Sequence, residues 1–483
     1  MLCRVSRNPL TWFALLALTV QSGCAVNPAA GKREFMLVSE RQEIATGRNA
    51  DPQIVATFGL HPDPDLQEYI TDLGLRLAAL SERPQLPWTF RVLDDPTINA
   101  FALPGGFNYV TRGIMVYLDS EAELVSVMGH EVGHGTARHG AHQMSQQQLA
   151  QIGVVAGVVF VPELEDFAGV ALAGIQLLFL KFSRDDESEA DRLGLRYMFA
   201  AGYDPNEMPN VYEMLDRMSG AGDGGRLPVW LSTHPDPTNR KETIRRLIDS
   251  LPRPLPTVVG RDAYYGRIDG MVFGPDPREG YFRGRVFDHP DLAFTMAFPA
   301  EWTTANQRSA VLAQSPGQDA MMQMTLAEGE SPAAAASDFL SGGGITGGPV
   351  RERNINGLRA ATADFRASTQ GGTLRGVVTF IADGGRVYQL LGFSTAEKWR
   401  AYRDVVASSV ESFNRLTDAT ALAVRPLRLS IVTLDRVMTL REFSRAYPSQ
   451  VGLDQLSLLN RVGPDDRMPA GRRVKRVVGG PLP

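Results

Sequence analysis

Cysteine is almost absent: the 483 residues contain two, at positions 3 and 24. A disulfide framework is therefore excluded as the source of stability. An excess of positive charge is also missing. Lys and Arg number 49 against 54 Asp and Glu, a formal charge of −5, which argues against a protein that grips a nucleic-acid backbone. Mean hydropathy is −0.14, which excludes a polytopic membrane protein but leaves room for one anchoring segment. What is present is ordinary for a folded chain, with 43% hydrophobic and 21% charged residues. The length suggests about three domains.

The first residues read as an export signal. Arg4 and Arg7 precede an apolar run from Leu10 to Val20, too short to span a bilayer and suited to a signal peptide. Ser22-Gly23-Cys24 follows at once. Small residues before a Cys resemble a bacterial lipoprotein processing site, although Gln21 stands where that pattern usually has Leu. Residues 1–24 are thus expected to direct export to the periplasm, with Cys24 as the lipid-bearing terminus. Ala25 after the Cys points, by the same resemblance, to the outer membrane. Ordinary cleavage after Ala25 is the alternative.

The expected class is α+β. Residues 31–252 read as a mainly helical domain with a short sheet. Leu66 to Leu80 carries a helical stripe, and Trp88 to Leu93 alternates as a strand. Asn99 to Thr111 reads as two strands about Pro104-Gly105-Gly106. A helix is expected from Ser120, with Glu123 completing a capping box. Residues 253–282 are rich in Pro and Gly and read as a linker. Residues 283–416 read as a small α+β unit, with a hairpin about Asp383-Gly384-Gly385 and a closing helix from Trp399. Residues 421–480 form a third unit.

The chemistry lies in His130-Glu131-Val-Gly-His134. Residues four apart on a helix differ by about 40° in azimuth and about 6 Å in rise, so both imidazoles can reach one ion. Zn²⁺ suits two His and a carboxylate, with Glu131 beside an attacking water rather than on the metal. A metzincin would need Gly at 137 and His at 140, where the chain has Ala137 and Gly140. On a continuous helix His139 points away from His130, so His139 and His142 read as solvated or packed. The third ligand is expected from a second helix opening at Ser183. There Glu187 and Asp191 share a face, so that one can ligate and the other can hold a ligand His in its tautomer.

These motifs resemble peptidase family M48, the gluzincins that include CAAX prenyl proteases, HtpX-like membrane proteases and a soluble periplasmic BepA-like branch. Glu187-Ser-Glu-Ala190-Asp191 is similar to that family's second motif. The stretches Asn99-Ala-Phe-Ala-Leu-Pro-Gly-Gly and Thr233-His234-Pro235 resemble the soluble branch. The resemblance spans residues 34–250. It implies Glu187 as third ligand, Asp191 as the residue behind it, Glu189 as not ligating, and one Zn²⁺ per chain. It also implies His234 as a fourth ligand or as a donor to the oxyanion, with a plain turn residue as the other reading. Asn99, Ala100, Phe101, Ala102 and Leu103 are expected to offer a strand edge to an extended substrate.

The expected function is an exported zinc metalloendopeptidase acting on unfolded or misassembled envelope polypeptides. The alternatives are an assembly chaperone or a peptidoglycan-binding protein with a self-blocked protease site. Two apolar runs, 152–161 and 167–180, are too short to span a membrane and read as a hairpin or cover. Residues 283–416 resemble PsbP and Mog1 folds. Residues 427–477 resemble a degenerate LysM module of β-α-α-β order, which would make peptidoglycan a partner unless the unit is only a structural cap.

Overall fold

The computed structural model describes residues 24–153, 182–220, 230, 234, 240–369 and 372–480. The expected signal segment up to residue 23 and both apolar runs, save the backbone of residues 152–153, lie outside these residues. Among the described residues no helix is long and apolar enough to cross a membrane.

The chain enters through a short antiparallel pair, β1 (Cys24–Val26) and β2 (Arg33–Phe35). Two helices follow, α1 (Glu40–Phe58) and α2 (Pro64–Ala79). Asp63 caps α2 by accepting from the N–H groups of Asp65 and Leu66, and Pro64 sits in the first turn, where no N–H is needed. Next comes a three-stranded sheet of β3 (Thr89–Leu93), β4 (Ala100–Leu103) and β5 (Phe107–Thr111) in the order β3-β5-β4. β3 runs parallel to β5 and β4 antiparallel to it, so β4 lies at the edge. The turn between β4 and β5 needs glycine. Gly105 and Gly106 have φ of 85° and 95°, and a Cβ on Gly105 would lie 2.6 Å from the backbone of Ile44.

Helix α3 (Glu121–Ala137) runs through the core, and α4 (His139–Gly153) follows it after a break at Arg138. α5 (Arg184–Ala200), α6 (Met208–Gly220), α7 (Arg240–Asp249) and α8 (Arg261–Ile268) complete the domain. One apolar cluster joins Leu73 and Leu77 of α2, Val92 of β3, Val125 and Met128 of α3, Tyr197 of α5, Leu215 of α6, Ile244 of α7 and Tyr264 of α8. The stretch 253–282, read as a linker from its Pro and Gly content, thus contains a helix whose Tyr264, Tyr265 and Ile268 are core residues. It also holds β6 (Val272–Phe273), which pairs with the C-terminal unit.

The middle unit has two sheets. The smaller contains β7 (Tyr281–Arg283), β8 (Val286–His289), β9 (Phe294–Ala297) and a distant β18 (Asn414–Arg415). The larger contains β10 (Thr303–Asn306), β11 (Val311–Gln314), β12 (Ala320–Ala327), β13 (Ile345–Gly347), β14 (Arg351–Ile355), β15 (Leu358–Thr369), β16 (Gly372–Asp383) and β17 (Arg386–Thr395). Residues alternate between its faces. Met321, Leu391 and Phe393 meet α9 (Pro332–Ser341), whereas Met322, Met324 and Leu390 meet α10 (Trp399–Glu411) and the small sheet. The expected hairpin is present: Asp383 pairs with Arg386 across Gly384-Gly385, both at positive φ.

The last unit runs β19 (Leu427–Thr433), β20 (Met438–Thr439), α11 (Leu440–Ala446), α12 (Leu453–Asn460), β21 (Arg467–Met468) and β22 (Arg473–Gly479). β19 pairs with both β22 and β6, and β20 pairs with β21. The unit docks against the start of α3. Buried Lys475 donates to the carbonyls of Val116 and Leu118, while Arg461 donates to Glu123 and to the carbonyl of Tyr117.

Candidate metal centre and active site

Helix α3 begins where the sequence places it. Ser120 is the N-cap and accepts from the N–H of Glu123. The Glu123 carboxylate accepts from the N–H of Asp119, one residue beyond the cap position expected for a capping box. Every residue from Ala122 to Ala137 is buried. Small residues set the distance to α5. A Cβ on Gly129 would lie 3.1 Å from the carbonyl of Gly194, and one on Gly194 would lie 2.8 Å from the backbone nitrogen of His130. The two helices therefore touch backbone to backbone, which brings the His-bearing face of α3 against the acidic first half of α5.

Four side chains converge there. Donor atoms of His130, His134, Glu187 and His234 all lie within 4.8 Å of one another, and all four residues are buried. The Nε2 atoms of His130 and His134 are 3.0 Å apart. Nδ1 of His234 lies 2.8 Å from Glu187 Oε1 and 3.3 Å from His130 Nε2. Glu187 Oε1 and Oε2 are each 3.5 Å from a ligand imidazole.

A carboxyl network stands behind the cluster. Asp191 Oδ1 is 3.0 Å from His130 Nδ1 and accepts from Tyr212 Oη at 2.6 Å. Arg240 donates to both Asp191 oxygens and places Nη1 2.7 Å from Glu187 Oε2. Its guanidinium also lies over the rings of Tyr212 and Trp230. Burial alone would raise both carboxyl groups. His234 and His130 hold Glu187 well below the usual range, and Arg240 and His130 do the same for Asp191. Burial would lower His130, but hydrogen bonds to Asp191 and Glu187 raise it to about 9. His134 has no such direct carboxylate behind it, and burial together with the charge of His130 pushes it down.

The cluster suits a cation by its donors. Three imidazole nitrogens and one carboxylate oxygen are the ligand types that Zn²⁺ takes. Glu131 gives an independent sign. Both of its carboxylate oxygens are buried without a hydrogen-bond partner among the described residues, and the closest imidazole nitrogen, His234 Nε2, is 3.6 Å away. A buried carboxylate in that state calls for a bound group or water beside it.

The remaining expected site residues fall as follows. Asn99 is buried just before β4, and Ala100 to Leu103 form that strand, which packs on α3. Cys24 starts β1. His142 is partly exposed beside Gln146, whereas His139 is buried, with its Nδ1 2.9 Å from Nδ1 of His134. Three further residues escaped the sequence reading. Arg240 opens a helix, α7, that also carries Lys241, Arg245 and Arg246. Trp230 stacks on His234 at 4.7 Å between centroids, and Phe182 stacks on His134 at 4.1 Å. Nothing in a single sequence marks these aromatics as different from core residues.

The family model "Peptidase family M48" matches residues 64–248. The chain is 32% identical over 336 residues to a "Beta-barrel assembly-enhancing protease" of Yersinia pestis, covering 64% of this chain and 68% of that one. The chain belongs to peptidase family M48. It is a metalloendopeptidase by that membership. The relative of the same name from Escherichia coli is 32% identical over half of each chain. A "Mitochondrial metalloendopeptidase OMA1" of Schizosaccharomyces pombe is 33% identical over 47% of this chain and 66% of its own. The chain thus spans between half and about two thirds of these M48 relatives. Among solved structures, a cyanobacterial PsbP from Synechocystis covers 28% of this chain at 9% identity and a TM-score of 0.23, too weak a likeness to bear on the fold.

Proposed function

We propose that this M48 member is an exported zinc metalloendopeptidase that hydrolyses peptide bonds in unfolded or misassembled envelope polypeptides. The observation that carries the reading is the convergence of His130, His134 and Glu187 beside the unpartnered carboxylate of Glu131. Zinc held by the three would act as a Lewis acid and make water a nucleophile near neutral pH. Glu131 would take a proton from the attacking water and pass it to the leaving nitrogen. Asp191 fixes the His130 tautomer, and Arg240 offsets the charge of the two carboxylates behind the site. The edge position of β4 supports pairing with an extended substrate at Asn99 to Leu103, which would favour unfolded over folded chains.

His234 is read as a fourth ligand that keeps the resting site shut. Its place among the four converging donors and its stack on Trp230 support this over a donor to the oxyanion. The names of the relatives suggest β-barrel assembly as the setting, and Cys24 is proposed as the membrane anchor. The docking of residues 427–477 through Lys475 and Arg461 supports a structural cap over a peptidoglycan-binding arm. The test is elemental analysis with a casein degradation assay. One zinc per chain and proteolysis lost in Glu131→Gln are expected. Full proteolysis in that variant would overturn the reading.

A further inference from the structure

We propose that His139 and Glu189 form a positioning relay that fixes His134 in its metal-binding tautomer. The proposal rests on His134 being a ligand, as argued above. It starts from a break in the helix. α3 ends at Ala137 because Arg138 adopts the left-handed region, with φ of 64°. That conformation is costly for a residue with a Cβ. Arg138 is held in it by donating to Glu43 and to the carbonyl of Val38. The turn brings the next residue back under the last turn of α3. His139 therefore faces His134, not the solvent side that a continuous helix would give it.

The contacts form a chain with one consistent assignment of protons. Nδ1 of His139 is 2.9 Å from Nδ1 of His134. Nε2 of His139 is 3.3 Å from Glu189 Oε2, which also accepts from Asn27 Nδ2 at 3.1 Å. Asp186 Oδ1 lies 3.6 Å from the same Nε2. A carboxylate can only accept, so His139 carries its proton on Nε2 and presents the lone pair of Nδ1. His134 must then donate from Nδ1–H. That leaves the lone pair of its Nε2 pointing into the cluster with His130, Glu187 and His234.

Both ligand histidines of α3 are thus tied to α5. His130 is tied directly by Asp191, and His134 through His139 to Glu189. The same helix also supplies Glu187. Three acidic residues on one helix, two apart in sequence, therefore have three different roles. Glu189, which ligates nothing, acts at one remove. Phe182 packs against the relay, stacked on His134 and 6.1 Å from the ring of His139.

The test is the zinc dissociation constant of the full-length chain, measured with zinc alone against a chromogenic chelator. Loss of such an outer partner weakens metal binding by about 10–100-fold. His139→Ala is expected to show that loss. His139→Asn keeps an acceptor where Nδ1 was, and should recover affinity to within a few-fold of wild type. Glu189→Leu, which keeps the bulk of this half-buried side chain but removes its acceptor, should weaken zinc several-fold, whereas Glu189→Gln should not. Equal affinity in wild type and His139→Ala, or no rescue by Asn, would overturn the relay. Wild-type protein that binds no zinc at all would instead overturn the proposed function.

Discussion

The ammonium of Lys475 lies 2.8 Å from Asp119 Oδ1, fully buried, although the two are more than 350 residues apart and Asp119 lies just ahead of the N-cap of the metal-site helix. Burial alone would raise Asp119, but Lys475 and Arg461 bring it down to about 2. Lys475→Met leaves that carboxylate buried with Arg461, 3.7 Å away, and the more distant Arg261 as the cations that act on it. The expected loss is about 3 kcal/mol, on the scale of breaking one partner from a buried pair. Thermal or urea unfolding measures it, and Asp119→Asn in the same background should recover part of the loss.

For the metal, His130→Ala, His134→Ala and Glu187→Ala should each lose zinc, while Glu131→Gln should keep it and lose at least about 10²-fold in turnover. Elemental analysis of the purified variants decides the first point. Full zinc occupancy in Glu187→Ala would remove the carboxylate from the ligand set.

His234→Ala should raise basal proteolysis, because the wild-type imidazole would occupy the position an attacking water needs. A fall of roughly 10²–10³ would instead mark His234 as a donor to the oxyanion. The sign of the change in a casein assay separates the two roles.

The middle unit should weaken in mild acid. Burial holds His289 down to about 4 from an ordinary 6.5, and its Nδ1 accepts from the N–H of Leu292. The folded form favours the neutral ring, so this contribution is complete above pH 6.5 and is lost as pH falls towards 4. Arg386 nearby acts in the same direction. His289→Asn should flatten the pH dependence of unfolding across that window.

Much of the site was legible because its signals are local. The spacing of His130, Glu131 and His134 is a helical pattern, and so is that of Glu187 and Asp191. The turn between β4 and β5 was written in two glycines. What stayed hidden depends on events the pattern does not carry. A left-handed Arg138 needs Glu43, almost a hundred residues earlier, to hold it, and without that break His139 reads as facing away. Arg240 reaches Asp191 from another helix, and its neighbours in sequence are equally basic. Tyr264 and Tyr265 lie in a Pro- and Gly-rich stretch that composition alone assigns to a linker. The docking of Lys475 onto Asp119 joins two units that pattern reading treats separately.

The contact of Gly129 and Gly133 with Ala190 and Gly194 has a consequence for motion. Helices that meet through backbone atoms leave no side-chain layer between them to yield. Neither can loosen without exposing the other, so α3 and α5 should open as one unit. Amide hydrogens of residues 126–137 and 187–198 should therefore exchange with solvent at a common free energy, close to that of global unfolding, whereas α4 beyond the Arg138 break should exchange earlier and independently.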